Sequence, residues 1–124
     1  MTIESYRDLR VWQEAMDLAE DCHRLTAAFP RDEMFGMTAQ IRRAAVSVPA
    51  NIAEGYGRGS KGAYAQFLRV AQGSLKEMET HLQLVPRLGL AQQAAVAPLL
   101  SSCDGVGRML RSLIRSIERS TKPA

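Results

Sequence analysis

Apolar residues fall along the chain in four runs, each keeping the 3-and-4 spacing of one helix face. In the first, about residues 6–29, Val11, Ala15, Leu18, Cys22, Leu25 and Phe29 form a coiled-coil-like seam with Trp12 beside it. In the second, about 33–54, Ile41, Ala45, Val48 and Ile52 make the stripe. In the third, about 60–88, Tyr64, Phe67, Ala71, Leu75, Met78, Leu82 and Val85 keep the spacing, and in the fourth, about 92–120, Val96, Leu99, Cys103, Val106, Leu110, Leu113 and Ile117 do so. No alternating strand pattern interrupts them. Four seams joined by short connections predict an all-α fold, an antiparallel up-down four-helix bundle occupying residues 1–124 as one domain.

Breakers and caps set the expected bounds. Pro30 stops the first helix, and Asp32 is placed to cap the second by accepting backbone N–H bonds. Pro49 lies inside the second helix without the N–H that would bond the Ala45 carbonyl, so a bend is expected there; Gly55, Gly57 and Gly59 then end it. Ser60 is the expected N-cap of the third helix. Pro86 predicts a kink or an early ending near Leu82, and Pro98 is tolerable only near the start of the fourth helix. Gly105 and Gly107 each weaken that helix by about 1 kcal/mol relative to Ala, which points to close helix approach.

The second helix is apolar beyond one stripe. From Ala39 to Ala53 nine of fifteen residues are Ala, Val or Ile, and Gln40, Arg43, Ser47, Asn51 and Glu54 repeat at 3 and 4 as one narrow polar band. It is therefore expected to be covered on more than one side. Leu84, Leu88 and Leu90 add apolar surface off the third seam, and the excess predicts a homo-oligomer.

Charge changes the picture more than composition does. The net charge is only +3, but residues 1–33 carry 4 basic and 8 acidic side chains, residues 34–103 carry 7 and 3, and residues 104–124 carry 5 and 2. An acidic first helix and a basic remainder suit an anionic partner, or acidic-on-basic packing between subunits. Cys22 and Cys103 stand apart on apolar stripes, so reduced core thiols are expected in place of a disulfide or zinc framework. The absence of a charged-then-apolar leader and of an 18-residue apolar run leads to an expected cytoplasmic location without a membrane span.

Catalytic and cofactor patterns are missing. A ferritin-like metal site needs Glu-x-x-His pairs, whereas His81 follows Glu77 by four and Glu79 by two, and His23 has no carboxylate at that offset. Gly55-x-Gly57-x-Gly59 follows a helix where a dinucleotide fingerprint follows a strand, and Ser60-Lys61-Gly62 is not a P-loop. No metal, cofactor, small-molecule substrate or catalytic activity is expected. A hydrolase centred on Cys103 or His81 is the weakest of the readings.

Several segments carry a family resemblance: Phe35-Gly36, Gln40-Ile41-Arg42-Arg43-Ala44-Ala45, Ser47-Val48-Pro49-Ala50-Asn51-Ile52-Ala53-Glu54-Gly55 and Gly57-Arg58. Upstream, Tyr6-Arg7-Asp8-Leu9, Val11-Trp12-Gln13 and Phe29-Pro30 extend it; downstream, Phe67-Leu68, Gly73-Ser74-Leu75 and Glu77-x-Glu79-Thr80 do. In these the chain resembles the bacterial four-helix-bundle proteins named after 23S rRNA intervening sequences, and it is similar to the accessory variability determinant of diversity-generating retroelements. The resemblance covers roughly the first three-quarters of the chain and implies a ring of five subunits, with RNA or a reverse transcriptase as partner.

Two basic features are candidate nucleic-acid contacts. The loop Gly55–Gly62 offers Arg58 and Lys61 as cations, Tyr56 as a stacking ring and free N–H groups at a helix start; the plain alternative is a tight basic turn. Arg108, Arg111, Arg115, Arg119 and Lys122 step by 3 and 4 along about 21 Å of the fourth helix, a phosphate-binding stripe or a solvated face with cations near its C-terminus. Within the matched motif, Gln40, Arg43, Ser47, Pro49, Asn51, Glu54 and Gly55 are read as structural or assembly residues, with Arg43 expected to meet Glu54 or a neighbouring subunit; Arg42 stays open between the two roles. The functional expectation is a non-enzymatic oligomer that binds RNA or other nucleic acid, and the alternative is a protein-interaction or scaffold ring.

Overall fold

The computed structural model describes residues 2–121. Four helices, α1 (Arg10–Ala27), α2 (Met37–Gly57), α3 (Lys61–Arg87) and α4 (Gln93–Thr121), make up the fold, and no strand occurs among the described residues. α2 packs on α1 and α3, and α4 packs on α3 and α1. Contacts run in opposite directions along each neighbouring pair: Arg43 meets Glu77, Ser47 meets Ser74 and the Gly55 backbone meets Phe67, while Arg69 meets Glu118 and Lys61 meets Ser120. The arrangement is an antiparallel bundle.

The expected seams fill its centre. Leu18, Ile41, Ile52, Leu68, Leu75, Met78, Leu82 and Leu110 are almost wholly buried. Four of the expected core positions shift by one residue. Thr26 replaces Leu25 in α1, Ala65 and Leu68 replace Tyr64 and Phe67 at the start of α3, and Ile114 replaces Leu113 in α4. In α4 the stripe resumes at Ile117, which is buried as its spacing requires. In α3 the Phe67 Cβ and the Tyr64 backbone and ring lie against Gly55, whose missing side chain leaves them room, while Ala65 and Leu68 turn to the core. A Cβ built on Gly55 would lie 2.7 Å from the Phe67 Cβ and 3.2 Å from the Tyr64 carbonyl oxygen.

The helix ends differ from the expected ones for local reasons. Ser5 Oγ accepts the Arg7 N–H at 3.0 Å and Asp8 Oδ2 accepts the Ser5 N–H at 3.2 Å, closing a capping box around a 3-10 turn at Tyr6–Asp8. Leu9 is then extended, so α1 starts at Arg10. Asp32 does not cap α2. It lies in a second 3-10 turn, Arg31–Glu33, and the Glu33 carboxylate accepts the Met37 N–H at 3.2 Å instead. Gly55 does not end α2, which continues to Gly57.

Ser60 caps α3 as expected, accepting the Ala63 N–H at 3.2 Å. α3 does not end near Leu82, because Pro86 stands one residue from the helix end and its missing N–H forfeits a single bond. A Schellman closure follows. Gly89, at φ 73°, donates to the Pro86 carbonyl at 3.2 Å, and Leu90 donates to the Val85 carbonyl at 3.0 Å. Of the two α4 glycines only Gly107 lies close to another helix, its virtual Cβ 3.5 Å from Leu75 Cδ2; nothing lies within 4 Å of Gly105.

Candidate nucleic-acid interface

The polar band of α2 faces α3 and is satisfied within the chain. The Ser47 and Ser74 hydroxyls share a hydrogen bond of 2.7 Å, and the Asn51 amide donates to the Ser47 carbonyl at 2.8 Å and to its hydroxyl at 3.0 Å. Arg43 reaches the Gln40 side-chain oxygen and, at 3.5 Å, the Glu77 carboxylate. It does not meet Glu54, which pairs with Arg58 at 2.6 Å one turn on. Arg43 also stays largely exposed. Arg42 points the other way, donating to the Thr26 hydroxyl at 2.8 Å and the His23 carbonyl at 3.3 Å, and so fastens α2 to the end of α1. Pro49 is buried beneath α1, lining a groove with Met16 and Val46.

Short reach and aromatic contact hold the loop cations. Tyr56 meets Tyr64 edge-on, with ring centroids 5.9 Å apart and planes at 88°. The Arg58 guanidinium lies 4.9 Å from the centre of the Phe67 ring while it pairs with Glu54. Burial, with the neighbouring Tyr56 second, pushes the Tyr64 hydroxyl up to about 12. Lys61 Nζ approaches the Ser120 carbonyl oxygen at 3.5 Å, so the loop sits against the C-terminal end of α4.

That contact joins the two basic features. Arg108, Arg111, Arg115 and Arg119 are all exposed, and none makes a hydrogen bond or ion pair with another described residue. Glu118, their close acidic neighbour in sequence, pairs with Arg69 of α3. Lys122 lies outside the described residues. Sequence reasoning missed the α3 contribution. Lys61, Arg69 and Lys76 recur at about two-turn spacing, and that periodicity was the available signal. Arg69 and Lys61 reach α4 directly, and Arg87 lines a groove with Gln93 and Leu100 farther along the same pair of helices. The α3–α4 face thus carries cations on both its helices.

Cys22 and Cys103 are fully buried, and the Cys22 thiol contacts Met78 Sδ at 3.5 Å. Burial first, and nearby negative groups second, push both thiols from an ordinary 9.0 to about 12. Neither is therefore a thiolate at neutral pH. Because the folded values are raised, both states hold the protons below about pH 9; between about 9 and 12 the unfolded chain releases protons that the folded chain keeps, so stability falls with rising pH. Native protein at pH 8 should resist iodoacetamide at both cysteines and take up two labels in denaturant, as counted by mass spectrometry. Native labelling at either site would show that the core opens. Among the described residues no cluster of three or more His, Cys, Asp or Glu could hold a metal ion, and no helix is long and apolar enough to cross a membrane.

Comparisons with known proteins agree with this architecture. No curated protein matches the chain. A crystal structure of a protein with unknown function from the S23 ribosomal protein family of Bacteroides thetaiotaomicron VPI-5482 superposes with a TM-score of 0.75 at 21% identity, covering 84% of this chain and 97% of that one. The model of the 23S rRNA-intervening sequence protein family matches residues 7–112. The match extends farther than the motif resemblance, taking in Arg108 and Arg111 but not Arg115 or Arg119. With most of its length matched, from the first 3-10 turn into α4, this chain belongs to the 23S rRNA-intervening sequence protein family.

Proposed function

We propose that this protein is a non-enzymatic, cytoplasmic homo-oligomer that binds RNA along its α3–α4 face. The observation that carries this reading is the run of four exposed α4 arginines without partners among the described residues, continued at one end by Lys61 and at its flank by Arg69. Arg108 to Arg119 span about 16 Å, long enough to meet several consecutive phosphates. Exposed cations in a row, unpaired with carboxylates among the described residues, favour a polyanion over an apolar partner. Tyr56 and Arg58 add a ring and a charge beside the loop. The family resemblance supports a ring of five copies and a reverse transcriptase as a companion protein.

Fluorescence anisotropy of labelled single-stranded and hairpin RNA at several salt concentrations tests the reading. Four phosphate contacts on a single strand should give a slope of log affinity against log salt near −3 (about −0.7 per phosphate). Arg111→Glu/Arg115→Glu should cut that slope by about 1.4 and leave the helical content unchanged. No binding at low salt would sink the proposal and leave the scaffold ring, which one feature favours. Glu14, Asp17 and Asp21 line a groove between α1 and α4 with Ser101 and Ser102, an acidic surface suited to a basic protein face.

A further inference from the structure

We infer that the ring of Phe35 docks into the α1–α2 groove of a second copy of this chain, so that copies join head to tail. This deepens the oligomer reading above and rests on it. Phe35 is 92% exposed, the most exposed large apolar side chain among the described residues, and Met34 beside it is half exposed. It does not dangle. Its turn, Glu33–Gly36, is closed by the Gly36 N–H donating to the Glu33 carbonyl at 3.0 Å, and the Glu33 carboxylate holds the start of α2. A Cβ on Gly36 would come 3.2 Å from that carboxylate, so the turn presenting the ring is tight. An aromatic side chain held out by an ordered turn has little further freedom to lose on docking.

The matching hollow lies on the same molecule. Between α1 and α2 is an open groove of about 460 Å³ with Ala19 and Pro49 buried at its base and Met16 and Val46 along its sides, the last two 38% and 50% exposed. Glu20 and Arg24 stand at its rim. Phe35 cannot fill its own groove: it precedes Val46 by eleven residues and Pro49 by fourteen, roughly 16–21 Å along α2. Each free copy therefore leaves one apolar knob and one apolar hollow in water, and a single association covers both. At the rim Arg24 pairs with Glu20 and with Asp21, each at 3.2 Å, within its own helix. Because knob and hollow are different patches, the contact is heterologous and propagates until a ring closes or a filament grows.

Light scattering of the full chain, of Phe35→Glu, of Val46→Glu and of their equimolar mixture tests this, with circular dichroism as the folding control. The wild type should be larger than a dimer and each variant a folded monomer. The mixture should form a one-to-one dimer, because the Phe35→Glu chain keeps a hollow and the Val46→Glu chain keeps a knob. Met16→Glu replaces Val46→Glu should that variant not fold. A folded Phe35→Glu with the wild-type mass, or a mixture that stays monomeric, overturns the docking and leaves the oligomer reading standing. A monomeric wild type overturns both.

Discussion

Leu75→Ala should lower the free energy of unfolding by about 2–5 kcal/mol, the range for removing a buried leucine whose cavity cannot collapse. Leu75 is 1% exposed and sits where α3 passes α4, with Cδ2 3.5 Å from the virtual Cβ of Gly107. Gly107 has no side chain to move into the space. Gly107→Ala alone should stabilise the protein, because its methyl would meet Leu75 at ordinary contact distance and alanine is favoured over glycine inside a helix by about 1 kcal/mol. In the double variant the new methyl faces the hollow left by Leu75, so the two changes should not add. Urea unfolding of the four proteins checks this. A loss below about 1 kcal/mol for Leu75→Ala would mean that the helices close over the gap.

Gly55→Ala and Gly57→Ala should have opposite signs, although two residues and one helix hold both glycines. At Gly55 the added methyl would lie 2.7 Å from the Phe67 Cβ, on the stiff part of that side chain, and 3.2 Å from a backbone oxygen. Neither neighbour can turn away, so α2 and α3 must part. Overpacking of this kind costs about 1–3 kcal/mol, and the shift also pulls Arg58 off the Phe67 ring and strains the Ser47–Ser74 bond. The helix-propensity gain of about 1 kcal/mol offsets only part of it. At Gly57 nothing lies within 4 Å, so the gain stands alone and the melting temperature should rise by a few degrees. A Gly55→Ala protein as stable as the wild type would show that the α2–α3 crossing is looser than this geometry.

Much of the bundle was legible in the chain because helix seams are local patterns. Ile41, Ala45, Val48 and Ile52 are all buried as their spacing requires, and Ser60 caps the helix it precedes. Misplacements cluster where a choice between neighbours depends on what lies opposite. Tyr64 and Phe67 yield the core to Ala65 and Leu68 because they lie against Gly55 of another helix, where a missing side chain leaves them room. Glu33 and not Asp32 caps α2 because a 3-10 turn sets the start of the helix at Met37.

The candidate interface was legible only in pieces. Helical spacing put Arg108, Arg111, Arg115 and Arg119 on one face, and glycine content marked the loop. Neither could say that Lys61 touches the end of α4, that Arg69 pairs with Glu118, or that Arg42 is fastened to α1. Those facts join residues tens of positions apart. Periodicity and caps act within a few turns of one helix and so are written in the chain, giving helix number, faces and stops. Which cation keeps a free charge, which glycine is indispensable and which apolar residues stay uncovered depend on what the packed helices bring opposite one another, and only the tertiary structure decides that.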